Sequence, residues 1–294
     1  MTSGRPVELF ERERRRLFTM AYGFLGSRAD AEDVVQDAWL RWHGRDEKTV
    51  DNPAAWLTTV TARLALDRLR SARVKRETYP GVWLPEPIVE TPSVESALLA
   101  ESGLTLAFLF LLERLGAEER AAFVLREVFN RSYREIGEAL GRPEASCRQL
   151  VKRAREKVRR DQSARGPASR PQVEHTLESF LDALEEGDEM KLLELLAADA
   201  ILYGDGGGKA PSVVNPIFGA HRIVRFLMGL RRKYPGEYTY ERIDVNGMPG
   251  LIALRGGVAS AIVSYCVEDS RVRRIFHVLN PDKIAAGLRE WKTP

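Results

Sequence analysis

Seven Lys or Arg face a single acid, Glu156, between Arg148 and Arg160, in a stretch that reads SYREIGEALGRPEASCRQLVKRAREKVRR over 132–160. Arg and Gln side chains hydrogen-bond base edges in a DNA major groove, and neighbouring cations hold phosphates. Arg148, Gln149, Lys152, Arg153 and Arg155, with Ser146 two residues before the first of them, are the side chains of this stretch suited to that chemistry. A basic helix alone is by default a solvated outer face, so the elements that position these residues decide between the two readings.

Ser132 followed by Glu135 is an S-x-x-E capping box that starts a helix. Tyr133, Ile136 and Leu140 recur at helical spacing, Gly141 supplies a left-handed stop, and Pro143 suits the opening of a second helix. On that second helix Cys147, Val151, Ala154 and Val158 share one face and the cations lie elsewhere. Two short helices joined by a glycine turn, with an apolar seam and a basic outer surface, make a helix-turn-helix. The pattern points to duplex DNA and assigns no base sequence.

The 294 residues suffice for about two domains with their own cores. No apolar run approaches the ~20 residues of a membrane helix, and MTSGRPVELFERERRRLF holds no signal-peptide core. A cytoplasmic protein without a membrane partner is expected. The two cysteines, Cys147 and Cys266, are far apart and lack C-x-x-C or His-rich neighbours, which argues against a disulfide or a metal site; no cofactor is called for. Residues 1–170 carry 30 Lys/Arg against 25 Asp/Glu, whereas residues 171–294 carry 15 against 17. The basic surface therefore belongs to the first part of the chain. DQSARGPASRPQ at 161–172 marks the main domain boundary.

Val7 to Arg76 is helical in pattern. Ala31, Val34, Val35, Ala38 and Trp42 form an apolar stripe that leaves Asp33, Gln36, Asp37, Leu40 and Arg41 on an outer face. A further helix from Pro53 ends in a basic third containing Arg63, Arg68, Arg70, Arg73, Lys75 and Arg76 against Asp67. Two cationic patches in the first 160 residues fit an extended duplex touched at two places.

LFTMAYGFLGSRADAEDVVQDAWLRW with PAAWLTTVTARLALDRLR resembles region 2 of the extracytoplasmic-function (group IV) sigma factors of the sigma-70 family, and LGAEERAAFVLREVFNRSYREIGEALGRPEASCRQLVKRAREKV resembles their region 4. The resemblance implies that Asp33, Gln36, Asp37, Leu40 and Arg41 dock on core RNA polymerase, its largest and second-largest subunits being the partners. It implies that Arg63, Asp67, Arg68, Arg70 and Arg73 meet the −10 element of promoter DNA. By the same resemblance Ser146, Arg148, Gln149, Lys152, Arg153 and Arg155 meet the −35 element, and the loop 44–52 holds a flipped base. Two positions depart from the common pattern: Leu64 stands where many relatives have Asn, and Leu150 where they often carry a cation.

Residues 77–93, ETYPGVWLPEPIVETPS, carry four prolines and no helical period, which predicts an extended linker. Trp83 and Leu84 within it are expected to dock on a neighbouring surface, since a bare indole in water is costly; a merely local cluster is the alternative. A single helix is expected over 94–115.

From Val173 the chain reads as helices (Val173–Leu184, Met190–Leu196, His221–Lys233), then four strands, YTYERIDV, GLIALRG, VASAIVSYCV and VRRIFHVLN. That order predicts an α+β layer fold with a cone-shaped interior and an antiparallel sheet. It resembles the SnoaL-like, ketosteroid-isomerase-like domains. Together with WLPEP (Trp83, Leu84, Pro85, Glu86, Pro87), DGGGK (Asp205, Gly206, Gly207, Gly208, Lys209) and NPDK (Asn280, Pro281, Asp282, Lys283), it resembles sigma factors with a fused SnoaL-like C-terminal domain. What that resemblance implies is a regulatory domain acting in cis through intramolecular contact with the sigma module. DGGGK is no phosphate-cradling P-loop, because Tyr203 and Ala210 occupy the positions that need Gly and Ser/Thr. Glycines there permit close approach of another surface or serve a flexible turn. The expectation is that DGGGK and NPDK line the cone rim and contact the linker or the sigma module.

The domains expected are 1–76 (region 2), 77–93 (linker), 94–162 (region 4) and 173–294 (SnoaL-like), and the chain is expected to be a transcription initiation factor rather than an enzyme. The alternative is a DNA-binding protein fused to a ketosteroid-isomerase or polyketide-cyclase-like enzyme or a domain sensing an unknown small-molecule ligand. It would draw on His277, Asp205 and Asp244, which spacing alone does not assemble into an acid–base pair.

Overall fold

The computed structural model describes residues 5–45, 49–90, 101–161 and 168–289. These residues fall into two compact units, one within Met1–Thr78, Ala97–Leu104 and Leu109–Asp161, the other within Tyr79–Ser96, Thr105–Phe108 and Gln162–Pro294. From Tyr79 onward the described part of the proline-rich linker thus belongs with the C-terminal unit, while Glu77 closes the helix Pro53–Glu77.

The helical unit begins with helices Arg5–Leu25, Arg28–His43 and Pro53–Glu77. Ser27 caps the second by accepting from the Asp30 amide, and Asn52 caps the third by accepting from the Ala55 amide, with Pro53 in the first turn. All five members of the stripe Ala31, Val34, Val35, Ala38 and Trp42 are buried. Trp42 meets Trp56 with ring centres 5.6 Å apart.

The helices Ala117–Glu127, Tyr133–Leu140 and Glu144–Asp161 complete this unit. Arg120 is fully buried among them and donates to the Gly23 carbonyl at 3.1 Å and to Glu113, which also receives Arg76. A buried guanidinium is tolerated only when paired and hydrogen-bonded, so this network ties the two halves of the unit together. The single helix expected over 94–115 is interrupted. Gly103 takes a left-handed φ of +67°, Thr105 caps the Phe108 amide, and a new helix spans Leu106–Leu112; residues 94–100 lie outside the described residues.

The C-terminal unit sets helices Arg170–Glu186, Glu189–Leu195 and Ala220–Lys233 against a seven-stranded sheet. The strands are β1 (Val89–Glu90), β2 (Leu196–Asp205), β3 (Ile217–Phe218), β4 (Tyr238–Val245), β5 (Met248–Arg255), β6 (Val258–Glu268) and β7 (Arg271–Val278), in spatial order β1-β4-β5-β6-β7-β2-β3. One expectation is corrected here. The sheet is mixed, because β2, absent from the periodicity reading, runs parallel to β7. A register shift between Leu196 and Ile201 breaks the alternation that would have revealed it, and its last four residues are buried throughout.

One sheet face, with Leu202, Leu251, Val263, Tyr265 and Ile275, joins Leu177, Phe180, Ile223 and Val224 of the helices in the main core. The opposite face carries the stacked pair Tyr203 and Phe276, ring centres 5.6 Å apart, and a smaller cluster of Val89, Val245, Ile262 and Ile284. Helix Pro281–Gly287 packs on that second face.

Candidate nucleic-acid interface and linker clasp

The capping box forms as its residue types dictate: the Ser132 hydroxyl accepts from the Glu135 amide at 3.2 Å, and the Glu135 carboxylate accepts from the Ser132 amide at 2.8 Å. The Ser132 partners hold the Glu135 carboxyl below the usual carboxylate range. Gly141 adopts φ +64°, and Gly137 lets the turn pass so closely that a Cβ there would lie 2.6 Å from the Arg142 carbonyl. The second helix starts at Glu144 rather than Pro143, whose carbonyl accepts from the Ser146 and Cys147 amides.

Cys147, Leu150, Val151, Ala154 and Val158 bury the inner face of Glu144–Asp161. Leu150 is thus part of the packing seam. Ser146, Arg148, Gln149, Lys152 and Arg153 are exposed, and Arg155 is half-buried. Arg148 pairs with Glu144 and lies over the Tyr133 ring at 5.2 Å; Arg153 is 3.5 Å from Glu119, and Arg155 2.7 Å from Glu127. Lys152 and Gln149 keep their polar ends free of protein partners among the described residues.

On Pro53–Glu77 the exposed side chains Arg63, Asp67, Arg68 and Arg70 follow the outer surface. Arg63 donates to the carbonyls of Glu138 (2.6 Å) and Ala139 (3.3 Å), at the C-terminal end of the first helix-turn-helix helix where a cation is favoured. Arg68 bridges Asp30 at 2.8 Å and Asp33 at 2.5 Å, and Arg70 bridges Asp67 and Glu118. The Asp30 bond raises the Arg68 pKa, while Arg142 and Arg70 lower that of Glu118. The side chain of Arg73 lies outside the described residues. Asp33, Gln36, Asp37, Leu40 and Arg41 are all exposed on Arg28–His43, and Leu40 is 60% exposed despite being apolar. Leu64 is half-buried, and Asp46–Lys48 of the 44–52 loop lie outside the described residues.

The three motifs WLPEP, DGGGK and NPDK meet in the C-terminal unit. Asp205 ends β2, is 1% exposed, and its carboxylate accepts from the Tyr79 hydroxyl (2.6 Å), the Leu84 amide (2.8 Å) and the Lys283 ammonium (2.7 Å). Its carbonyl accepts from the amides of Leu279 and Asn280. Lys283, itself buried, also donates to the Leu84 carbonyl and stands over the rings of Trp83 (4.1 Å) and Tyr79 (5.0 Å). Burial, then the Asp205 bond, pushes the Tyr79 hydroxyl well above the ordinary tyrosine range.

Asn280 donates to the Tyr79 hydroxyl at 2.9 Å and caps the Asp282 amide, with Pro281 in the first turn of the closing helix. The glycines supply the close approach. A Cβ on Gly207 would lie 2.2 Å from Asn280, one on Gly206 2.2 Å from the Ala210 carbonyl, and one on Gly208 3.0 Å from Pro80. Lys209 pairs with Asp282 at the surface. Of WLPEP, Leu84, Pro85 and Pro87 are buried and Trp83 and Glu86 half-buried.

Two clasp residues escaped the sequence reading. Tyr79 precedes the WLPEP motif and carries no signal beyond its neighbourhood to it. Asn246 sits in the Asn-Gly turn after β4, at φ +52°, and exchanges both backbone-directed bonds with Ile88: its side chain accepts from the Ile88 amide and its own amide donates to the Ile88 carbonyl. That exchange leads directly into the pairing of Val89 with Val245.

The enzyme candidates are dispersed. Gly204, the β2 partner of His277, precedes Asp205, so Asp205 and His277 point to opposite sheet faces. Asp244 is held by Arg170 at 2.7 and 2.9 Å. Burial lowers His277 to about 4. Among the described residues no cluster of three or more His, Cys, Asp or Glu fit for a metal exists, and no helix is long and apolar enough to cross a membrane.

Comparison with known proteins agrees with this geometry. The Sigma-70 region 2 model matches residues 9–74 and the Sigma-70, region 4 model residues 105–158. The ECF RNA polymerase sigma factor SigJ of Mycobacterium tuberculosis (strain ATCC 25618 / H37Rv) is 39% identical, over 96% of this chain and 94% of its own length. The crystal structure of Mycobacterium tuberculosis extracytoplasmic function sigma factor SigJ superposes with a TM-score of 0.78 at 35% identity, covering 95% of this chain and 98% of that one. The likeness thus extends along nearly the full length, and the chain belongs to the extracytoplasmic-function family of RNA polymerase sigma factors, which direct polymerase to promoters for transcription initiation.

Proposed function

We propose that the C-terminal domain modulates this sigma factor in cis by gripping the linker through Asp205 and Lys283. The observation that carries the reading is the Asp205 carboxylate, buried at the end of β2 and satisfied by the Tyr79 hydroxyl, the Leu84 amide and Lys283 at once. Two linker groups and one domain cation share a single carboxylate, so release of the linker would strand a buried charge. A tether held in this way has less slack than a free proline-rich chain, and slack determines how the two DNA-binding modules reach a promoter.

In this reading Arg148, Gln149, Lys152 and Arg153, with Ser146 and Arg155, contact the −35 element. Arg63, Asp67, Arg68, Arg70 and Arg73 contact the −10 element. Asp33, Gln36, Asp37, Leu40 and Arg41 face the clamp helices of the largest polymerase subunit. The exposure of an apolar Leu40 beside polar neighbours supports a protein-facing role for that surface. The domains are residues 1–76, 77–93, 94–162 and 173–294, and the C-terminal domain works as a regulatory body rather than as a catalyst in the cytoplasm.

Run-off transcription with core polymerase, on a promoter selected by the full chain, tests the clasp. Asp205→Ala and Lys283→Ala are compared with the full chain and with a chain ending near residue 170. Output from both variants that moves toward the truncated chain supports the clasp; output equal to the full chain, with the truncation altering it, refutes it.

A further inference from the structure

The helix Ala220–Lys233 of the C-terminal unit contains Arg222, Arg225, Arg231, Arg232, Lys233 and His221 and no acid. It gathers five of the 15 Lys/Arg of residues 171–294 into 14 residues of a half that carries 17 acids. The distribution around the axis is not uniform. Ala220, Ile223, Val224 and Met228 are buried against the sheet, and Arg231, exposed but on another side of the helix, donates to the Glu185 carbonyl. His221, Arg222, Arg225, Arg232 and Lys233 are exposed and fall within about a third of the circumference at 3.6 residues per turn. From Arg222 to Arg232 the stripe runs about 15 Å along the axis at 1.5 Å per residue.

Four arginines elsewhere in this unit have acidic partners: Arg170 with Asp244, Arg242 with Glu178, Arg255 with Glu237, Arg273 with Asp199. Arg222 and Arg225 have no ion-pair partner among the described residues, and Arg232 only touches Glu189 at 4.0 Å. An ordered cationic stripe kept free of internal acids on an otherwise acidic half is what an external polyanion requires.

We infer that this helix face contacts the phosphate backbone of duplex DNA without reading its sequence. Duplex DNA presents one negative charge per roughly 1.7 Å of axis, so a 15 Å stripe (about ten residues) lies against several phosphates. Family membership brings duplex DNA to this chain. A bilayer is the poorer fit, because the apolar face that an interfacial helix would insert is already buried on the sheet. The contact adds affinity and salt dependence to promoter binding but no base preference. It is independent of the clasp, since none of its residues touches Asp205 or Lys283.

The test is a salt titration of fluorescence anisotropy with the full-length chain and a mixed-sequence duplex. Wild type is compared with the triple variant Arg222→Gln/Arg225→Gln/Arg232→Gln and with Arg148→Gln/Lys152→Gln as the helix-turn-helix reference. The triple variant is expected to bind more weakly and to lower the slope of log K against log salt by roughly 2–3, since each phosphate contact contributes about 0.9. Circular dichroism shows whether the fold is kept, and these exposed side chains should leave it unchanged. An unchanged slope overturns the inference, as does a wild-type chain with no measurable duplex affinity at low salt. So does loss of binding to vesicles containing anionic lipid with duplex binding intact.

Discussion

The Lys283 ammonium stands 4.1 Å from the centre of the Trp83 ring while lying 2.7 Å from a carboxylate oxygen of Asp205. A domain cation is thus enclosed between a linker aromatic and a buried acid whose side chains expose 6% (Lys283) and 0% (Asp205). Removing one partner of such a pair leaves the other charge desolvated and alone. Asp205→Ala should cost about 3–5 kcal/mol, read as a lower midpoint in urea unfolding of the full chain. Adding Lys283→Met should recover part of that loss, because the stranded ammonium is gone. A single variant as stable as wild type would show that the pair is not desolvated.

Gly207 should tolerate no side chain without disturbing the clasp. Its φ is +60°, and a Cβ would meet Asn280 at 2.2 Å and the Tyr79 hydroxyl at 2.8 Å. Gly207→Ala therefore adds a strained backbone to a collision with the clasp, a combined cost of at least about 1–2 kcal/mol. Trp83 should lose its cationic neighbour and its fluorescence should shift toward that of solvated indole. Gly208→Ala, with φ +70° but only Pro80 at 3.0 Å, should perturb Trp83 less.

His277 makes stability depend on pH in a defined direction. Burial lowers its pKa from 6.5 to about 4, so between these values the unfolded chain binds a proton that the folded chain does not. Stability from this group is present above pH 6.5, falls as pH drops through the window, and reaches its lowest contribution below about 4. His277→Gln should flatten the pH profile between 4 and 6.5 relative to wild type, as measured by chemical unfolding at closely spaced pH values. Parallel profiles for the two proteins would rule this out.

Leu40→Asp separates binding from folding. Leu40 is 60% exposed, so the change should leave stability within about 0.5 kcal/mol. Placed on the face proposed to meet polymerase, it should weaken capture of the chain by core polymerase in a pull-down or anisotropy assay. Undiminished capture would move the docking surface elsewhere on the helical unit.

Ser132→Ala removes the side-chain half of the capping box while leaving the second helix untouched. The expected loss is about 1 kcal/mol, seen as a lower melting temperature of the full chain, and −35 binding should fall only as far as the first helix frays.

Local rules, which depend on few neighbours, were legible in the chain. The Ser132–Glu135 box, the Gly141 stop, the Cys147–Val158 seam and the Ala31–Trp42 stripe all follow from caps and a 3.6-residue period, and the structure forms each of them. Amino-acid sequence alone also singled out Trp83 as a residue in want of a surface and the three glycines as either a close approach or a flexible turn, without choosing between those alternatives. Strand β2 was hidden because its register breaks after Leu196 and its end is covered on both faces, so alternation had nothing to report. Only the tertiary structure decided that Asp205, Lys283, Tyr79 and Leu84 share one buried site. Those residues lie up to 204 positions apart in the chain, and the parallel pairing of β2 with β7 is what brings their ends together. No local propensity encodes a contact between strands whose adjacency is settled by the packing of the whole sheet.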